Sequence, residues 1–186
     1  MTVRRIQEDK GVVYYCTITC FGWLPLFAST NFYEEIYKWF GLLNAKNIMV
    51  VGYVIMPNHA HFLIHLPQSG SMLNKVIANG KRFMAYEIVS RLKKLNSVKL
   101  LSKLEEAVLA NEKEKGKLHQ VFTPSFDAKP CFTESFLKQK LEYIHKNPVS
   151  GKWRLINDYR YYPHSSAGFY ELGSPSLCKI IHFRDL

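Results

Sequence analysis

The chain has 186 residues, of which 47% are hydrophobic and 14% aromatic, so it can bury a core and is too apolar for an intrinsically disordered protein. Its formal net charge is +10, and a basic chain rich in aromatic residues favours a nucleic-acid partner, although a solvated basic surface would give the same charge. No apolar run approaches the roughly 18 residues of a membrane helix, and the N-terminus lacks a signal-peptide core, so we expect a cytoplasmic protein that does not bind a membrane.

The first half of the chain predicts one helix between a strand and a hairpin. Residues 11–23 are rich in β-branched and aromatic side chains and predict a strand. Apolar residues at helical spacing after a Ser-Thr-Asn start predict a helix over 29–44. Residues 47–57 and 59–67 predict two more strands, which the turn signal Pro57-Asn58 joins as an antiparallel hairpin.

The second half of the chain predicts mainly helices. Residues 71–95 form a long, strongly basic amphipathic pattern, and residues 97–118 a second, more charged helical pattern to which we assign no role. Two prolines in residues 118–132 indicate an ordered loop. Residues 133–149 predict a helix that begins at the N-cap Thr133.

This order of elements predicts an α+β fold: a ferredoxin-like antiparallel sheet with helices packed on it and a histidine pair on a central strand. We expect one domain over residues 1–150. The aromatic, turn-rich residues 151–186 are expected to form a C-terminal extension packed on the same domain. The four cysteines form no CxxC pair, so a zinc finger is not supported; Cys16 and Cys20 are expected to be small buried hydrophobes.

His59 and His61 are the most informative polar residues of the predicted hairpin. Residues two apart on a strand point to the same face, so the imidazoles lie side by side, roughly 6–7 Å apart at the backbone. A metal site, an acid/base pair and a purely structural pair all remain open, and the structural pair is the commonest case.

Two ligands are too few for a stable metal site. Asn147 could add an oxygen ligand, which suits Mg²⁺ or Mn²⁺. His65 lies on the same face of the strand. It would either contact a metal ligand without binding the metal itself, or simply occupy the solvent-exposed end of the strand.

Tyr143 lies four residues before Asn147, so the two share one face of the predicted helix. A tyrosine hydroxyl can attack a phosphate whose oxygens are polarised by a cation. Free tyrosine has a pKa of about 10, and a nearby cation together with Lys140 or Lys146 would favour the phenolate. A tyrosine on an amphipathic helix is more often part of a core or an interface.

Four stretches of the sequence resemble one known family. "YVIMPNHAHFLIH" resembles the His-hydrophobe-His signature of the HUH single-tyrosine transposases, in the branch of the REP-associated tyrosine transposases. "YIHKNPVSGKW", "DYRYYPHSSAGFY" and "CFGWLPLF" resemble further segments of that branch. The stretches follow the family order over residues 11 to 173, which is nearly the whole chain. Ala60 stands where the family usually has Val, and residues 97–118 look like an insertion.

The resemblance implies the roles of the site residues. It implies that His59, His61 and Asn147 hold a divalent cation, Mg²⁺ or Mn²⁺, and that Tyr143 is the nucleophile. The enzyme would cleave and rejoin single-stranded hairpin DNA through a 5′-phosphotyrosine intermediate. It would work in the bacterial cytoplasm, on the nucleoid, as a monomer or a homodimer.

Basic residues provide candidate phosphate contacts, which a solvated surface would explain nearly as well. They are Lys75, Lys81, Arg82, Arg91, Lys140 and Lys146. Two alternatives to a transposase remain open: a metal-dependent phosphodiesterase that uses water, and a domesticated nucleic-acid-binding protein without catalysis.

Overall fold

The computed structural model describes residues 11–67, 73–124, 126–151 and 153–186. Its sheet contains four antiparallel strands in the order β2-β3-β1-β4. The strands are β1 (Val13–Thr19), β2 (Met49–Ile55), β3 (His59–His65) and β4 (Asp127–Cys131). This order, with helices between β1 and β2 and between β3 and β4, is the ferredoxin-like arrangement. The expected α+β fold is confirmed, and the histidine pair lies on β3, one of the two central strands.

Seven α-helices surround the sheet in the described residues. They are α1 (Leu26–Ser29), α2 (Tyr33–Ala45), α3 (Leu73–Lys94), α4 (Val98–Glu106), α5 (Ala110–Lys113), α6 (Glu134–Lys146) and α7 (Ala167–Leu172). The Thr133 hydroxyl caps α6 by accepting a hydrogen bond from the backbone N–H of Phe136, and a 3-10 turn (Asn147–Val149) continues the helix. None of the helices in these described segments combines the length and apolar character that crossing a membrane requires.

The sheet lies between two helical layers, each with its own apolar core. On one face, α2 and α3 pack against Tyr14, Cys16 and Phe62. On the other face, α6 packs Leu141 and Ile144 against side chains of the opposite pleat, such as Leu63. Because side chains alternate along a strand, β3 sends Phe62 and Ile64 into the first core and the odd-numbered His59 and His61 towards α6.

Three boundaries differ from the sequence-based expectation. Residues 118–132 were expected to be a loop, but 127–131 form the edge strand β4. Its sequence, DAKPC, has low β propensity, and pairing with β1 holds it in place. Pro130 is tolerated there because an edge strand leaves one row of N–H groups unpaired. The first strand ends at Thr19, short of residue 23, and the helical pattern over 97–118 is interrupted between α4 and α5.

The C-terminal segment, residues 153–186, packs along the outer edge of β2. Backbone hydrogen bonds join this segment to the strand. Ile55 N–H of β2 donates to the His164 carbonyl (2.8 Å), and Ser166 N–H of the segment donates to the Tyr53 carbonyl of β2 (2.9 Å). Further along, Ile181 N–H donates to the Val50 carbonyl (2.9 Å). These bonds satisfy backbone groups that an edge strand would otherwise present to solvent or to another chain.

Candidate active site

The two histidines stand at the start of β3, immediately after the hairpin turn. The turn is closed by Met56 N–H, which donates to the His59 carbonyl (2.8 Å). The imidazoles of His59 and His61 meet edge to face, with ring centroids 4.8 Å apart. Both side chains are buried, at 5% and 6% exposure, so their charged forms are poorly solvated.

His59 is oriented by a short hydrogen-bond chain. Its Nδ1 lies 2.7 Å from Asn58 Oδ1, an acceptor, so Nδ1 carries the proton and donates it; the lone pair is left on Nε2. The Asn58 amide is fixed in turn, because its Nδ2 donates to the Trp23 carbonyl (3.0 Å). Burial lowers the pKa of His59 to about 4, and a hydrogen bond with Asn147 partly opposes the shift.

His61 is oriented by two hydroxyl groups of β1. Its Nδ1 lies 2.8 Å from Thr17 Oγ1 and 2.9 Å from the Tyr15 hydroxyl oxygen, and its ring stacks on that of Tyr15. Burial, followed by the neighbouring His59 and Lys140, lowers the pKa of His61 to about 3. Both histidines are therefore neutral at pH 7, the state in which an imidazole nitrogen can bind a metal.

Tyr143 approaches the pair from α6, in the same chain. Its ring centroid lies 5.5 Å from that of His61 and 6.3 Å from that of Tyr15. The side chain is 52% exposed, so a substrate can reach it. Lys140, one turn earlier on α6, places its Nζ 5.9 Å from the centre of the Tyr143 ring. The pKa of Tyr15 is raised to about 12, mainly by burial, so this second tyrosine keeps its proton at neutral pH.

An open cleft of about 780 Å³ connects these groups. Its lining residues come from the Phe21–Trp23 turn, β3, the C-terminal half of α6 and the segment after it; they include Trp23, His59, His61, Tyr143, Asn147 and Trp153. In the described parts of the chain, no three His, Cys, Asp or Glu side chains converge on a common point. A cation between the imidazoles would therefore depend on the amide oxygen of Asn147. That donor set of two neutral nitrogens and one oxygen fits a divalent ion.

Close packing of α6 on β2 brings Tyr143 to the sheet. A Cβ on Gly52 would lie 2.6 Å from Leu141 Cδ2 and 3.3 Å from Ser166 Oγ, so any larger residue here would force the buried Leu141 side chain to move. The strand pairing is irregular at this point, between Val50 and Gly52. The buried His145 adds a second connection, with its Nε2 2.9 Å from Ser166 Oγ.

Of the six basic residues expected to contact DNA, two lie on α6 near the cleft. Lys140 places its Nζ 5.1 Å from the centre of the Tyr15 ring. Lys146 lines the cleft and pairs with Glu142 at 2.6 Å, with both side chains more than half exposed. Such an exposed pair is weak and can exchange for a phosphate.

The other four basic residues lie on α3, outside the lining of the cleft. Lys75 and Arg82 are exposed. Lys81 is largely buried, donates to the Thr123 carbonyl (2.6 Å) and has its pKa lowered to about 8, mainly by burial. It holds the loop after α5 against α3.

Arg91 is engaged inside the protein. It pairs with Glu35 (2.7 Å) and Glu87 (2.8 Å), and it donates to the backbone carbonyls of Thr30 and Asn31. These contacts connect α3 to the start of α2, and they leave its guanidinium little capacity for a phosphate.

Several residues of the site were missed in the sequence. Tyr15 and Thr17 looked like ordinary strand residues, and their role depends on the pairing of β1 with β3. Asn58 was assigned only to the turn. Trp23 stood in the "CFGWLPLF" stretch without a function. His65 lies at the far end of β3 from His59, partly exposed, opposite Val13 and Met49.

Comparisons with known proteins identify the fold. No protein-family model matches the chain, and no curated protein matches it in sequence. Among solved structures, the chain is similar to a REP-associated tyrosine transposase bound to a REP hairpin. The superposition has a TM-score of 0.59, covers 98% of this chain and 95% of the other, and pairs residues at 14% identity. At that identity the likeness establishes a shared fold over nearly the entire length.

Proposed function

We propose that this protein is a DNA strand transferase of the tyrosine transposase type, which cleaves and rejoins single-stranded hairpin DNA through a 5′-phosphotyrosine intermediate. The observation that carries the proposal is the position of the half-exposed Tyr143, with its ring 5.5 Å from that of the buried, neutral His61 in an open cleft. The shared fold with a transposase bound to a hairpin supports it independently.

His59, His61 and Asn147 would hold the divalent cation, Mg²⁺ or Mn²⁺, through two imidazole Nε2 atoms and an amide oxygen. When bound, the cation supplies positive charge to the phosphate oxygens that carry the developing negative charge. Asn58, Thr17 and Tyr15 orient the imidazoles by contacting each Nδ1.

Tyr143 performs the covalent step. Its hydroxyl oxygen forms a bond to phosphorus while the bond from phosphorus to the 3′ oxygen breaks, and the proton lost by the phenol is balanced by the one gained by the 3′-hydroxyl. One phosphodiester replaces another, so the reverse reaction rejoins strands without a nucleotide cofactor. Because Tyr143 lies beside His61 of its own chain, we propose that it acts in cis. Lys140, whose Nζ lies 5.9 Å from the centre of the Tyr143 ring, would place a positive charge beside the phosphate that Tyr143 attacks.

Basic side chains would bind the DNA backbone around the cleft. Lys140 and Lys146 are placed for phosphates next to the scissile bond. The exposed Lys75 and Arg82, with Lys81 behind them, would contact a more distant part of the hairpin. Arg91 is the weakest of the candidates because its donors are engaged by two glutamates and two carbonyls.

Covalent capture tests the proposal without knowledge of the target sequence. A library of synthetic single-stranded hairpins with randomised flanks is incubated with the protein in Mg²⁺, in Mn²⁺ or in EDTA. Strands that remain attached after denaturation are recovered and sequenced. We expect attached strands with either cation, and a loss to background in EDTA and in Tyr143→Phe. Tyr161→Phe is the matched control, because Tyr161 is exposed but does not line the cleft.

The alternative functions give different results in the same assay. A phosphodiesterase that uses water would cut strands without attachment, and Tyr143→Phe would cut equally well. A binding protein without catalysis would leave all strands intact with every cation. Either result would overturn the proposal.

A further inference from the structure

Trp23 is a large aromatic side chain that the fold leaves open beside the candidate active site. It is 58% exposed, although complete burial of a tryptophan is strongly favourable. It lines the cleft, and its ring meets that of His59 edge to face at 5.5 Å. One face of the indole is therefore available to a flat partner that enters the cleft.

The backbone holds Trp23 in this position at a conformational cost. Gly22 and Trp23 have φ angles of 59° and 57°, and a bulky non-glycine residue rarely adopts this left-handed region. The turn is fixed by Trp23 N–H, which donates to the Cys20 carbonyl (3.1 Å), and by the Asn58 amide, which donates to the Trp23 carbonyl (3.0 Å). Strained, over-determined residues of this kind cluster at functional sites.

The groups that surround the indole of Trp23 indicate which kind of ligand it contacts. Two neutral imidazoles, a phenol and the cations of Lys140 and Lys146 are suited to binding a phosphodiester. An unpaired nucleotide attached to that phosphate presents a flat base, and base-on-indole stacking is the usual way proteins hold single-stranded nucleic acid. We propose that Trp23 stacks on a base next to the scissile phosphate and so positions the strand for attack. This inference rests on the proposed function.

The geometry also assigns the nucleotide. Trp23 contacts His59 and Tyr143 contacts His61, so the two rings border different members of the histidine pair. In an in-line displacement the nucleophile and the leaving oxygen lie on opposite sides of phosphorus. The base near Trp23 is therefore the one on the nucleotide that leaves with the free 3′-hydroxyl.

Binding of a simple probe tests the stacking contact first. The probe is a short fluorescein-labelled oligothymidylate, compared with a strand of the same length made of abasic residues, in the Tyr143→Phe background with Mg²⁺. Trp23→Ala should weaken binding of oligothymidylate about 5- to 150-fold and leave binding of the abasic strand unchanged. The control Tyr161→Ala should affect neither strand. Equal losses on both strands, or no loss, would overturn the stacking role.

A second variant separates stacking from folding. Asn tolerates the left-handed region, so Trp23→Asn keeps the turn but removes the ring. We expect it to unfold at the same temperature as the wild type, or higher, and to lose binding as Trp23→Ala does. A Trp23→Asn protein that unfolds earlier but binds oligothymidylate normally would make the indole a packing residue and overturn the inference.

The position of the base is tested on a strand recovered by covalent capture. The strand is resynthesised with one abasic residue on either side of its cleaved phosphate. An abasic residue on the 3′-hydroxyl side should remove the difference in attachment rate between wild type and Trp23→Ala, whereas one on the other side should preserve the difference. The opposite pattern would overturn the assignment. If the wild type captures no strand, the proposed function fails, and the oligothymidylate comparison still decides whether Trp23 stacks.

Discussion

At the scale of single residues, the site depends on which nitrogen of each imidazole carries the proton. Asn58 Oδ1 can only accept, so it fixes the proton of His59 on Nδ1. The partners of His61 are hydroxyls, which can donate or accept. Thr17 Oγ1 also donates to the Tyr15 hydroxyl (3.3 Å), and it can do so while accepting from His61 Nδ1. That arrangement leaves Nε2 of both histidines without a proton, the form in which an imidazole nitrogen can bind a metal.

Thr17→Val tests this orientation, because valine keeps the shape and removes the hydroxyl. If Thr17 orients His61 for a cation, the affinity for Mn²⁺ should fall about 10-fold, at the lower end of the usual effect of such partners because Tyr15 remains. Mn²⁺ binding is measured by electron paramagnetic resonance or calorimetry, without DNA. Thr19→Val, on the same face of β1, is the control and should bind Mn²⁺ normally. An unchanged affinity in Thr17→Val would contradict the role.

At the scale of elements, the decisive contact is that between α6 and β2. Leu141 and Ile144 are buried against the sheet, and the absence of a side chain at Gly52 lets the helix come close. Helix α6 also bears Tyr143 and is followed by Asn147. A shift of this helix would therefore move the phenol relative to the imidazoles without changing any residue of the site.

Gly52→Ala should displace α6 and impair both stability and strand attachment. The new Cβ would lie 2.6 Å from Leu141 Cδ2, and overpacking of this kind typically costs about 1–3 kcal/mol in the free energy of unfolding. Denaturant titration measures the loss, and covalent capture measures the attachment. Gly41→Ala in α2 is the control: nothing lies within 4 Å of its Cβ, so it should stabilise by roughly 0.5–1 kcal/mol. Normal stability and attachment in Gly52→Ala would show that the helix tolerates the extra atom.

At the scale of the whole molecule, buried histidines connect folding to pH. The pKa values of His59, His61 and His145 are lowered from 6.5 to about 4, 3 and 4, in each case mainly by burial. Below pH 6.5 the unfolded chain therefore binds protons that the folded chain does not. These histidines contribute stability that is present above pH 6.5 and is lost as the pH falls towards 4.

The free energy of unfolding should therefore decrease between pH 7 and pH 5, by about 3 kcal/mol or more. Each histidine contributes a slope of at most about 1.4 kcal/mol per pH unit, and carboxylates contribute little in this range. Denaturant titrations in EDTA measure the effect without bound metal. His145→Gln should show a shallower dependence than the wild type. A free energy that stays constant from pH 7 to pH 5 would contradict the neutral, buried state of the three imidazoles.

The sequence by itself determined the local features of this protein. Alternation along a strand places His59 and His61 on one face, and helical periodicity places Tyr143 and Asn147 on one face of the helix predicted over residues 133–149. Both patterns depend only on neighbouring residues. The hairpin, the long helices and the α+β class followed from the same short-range signals.

Only the tertiary structure decided which surfaces meet. The strand β4 has no strand-like sequence and exists through its hydrogen bonds to β1. From the sequence, Arg91 is a candidate phosphate contact like the other basic residues of α3. In the folded protein it pairs instead with Glu35, which is far away in the chain. Trp23 reaches His59 because a left-handed turn bends the chain after β1. Each of these outcomes depends on contacts between residues far apart in the chain, and the meeting of α6 with β3 that joins phenol and imidazoles is one of them.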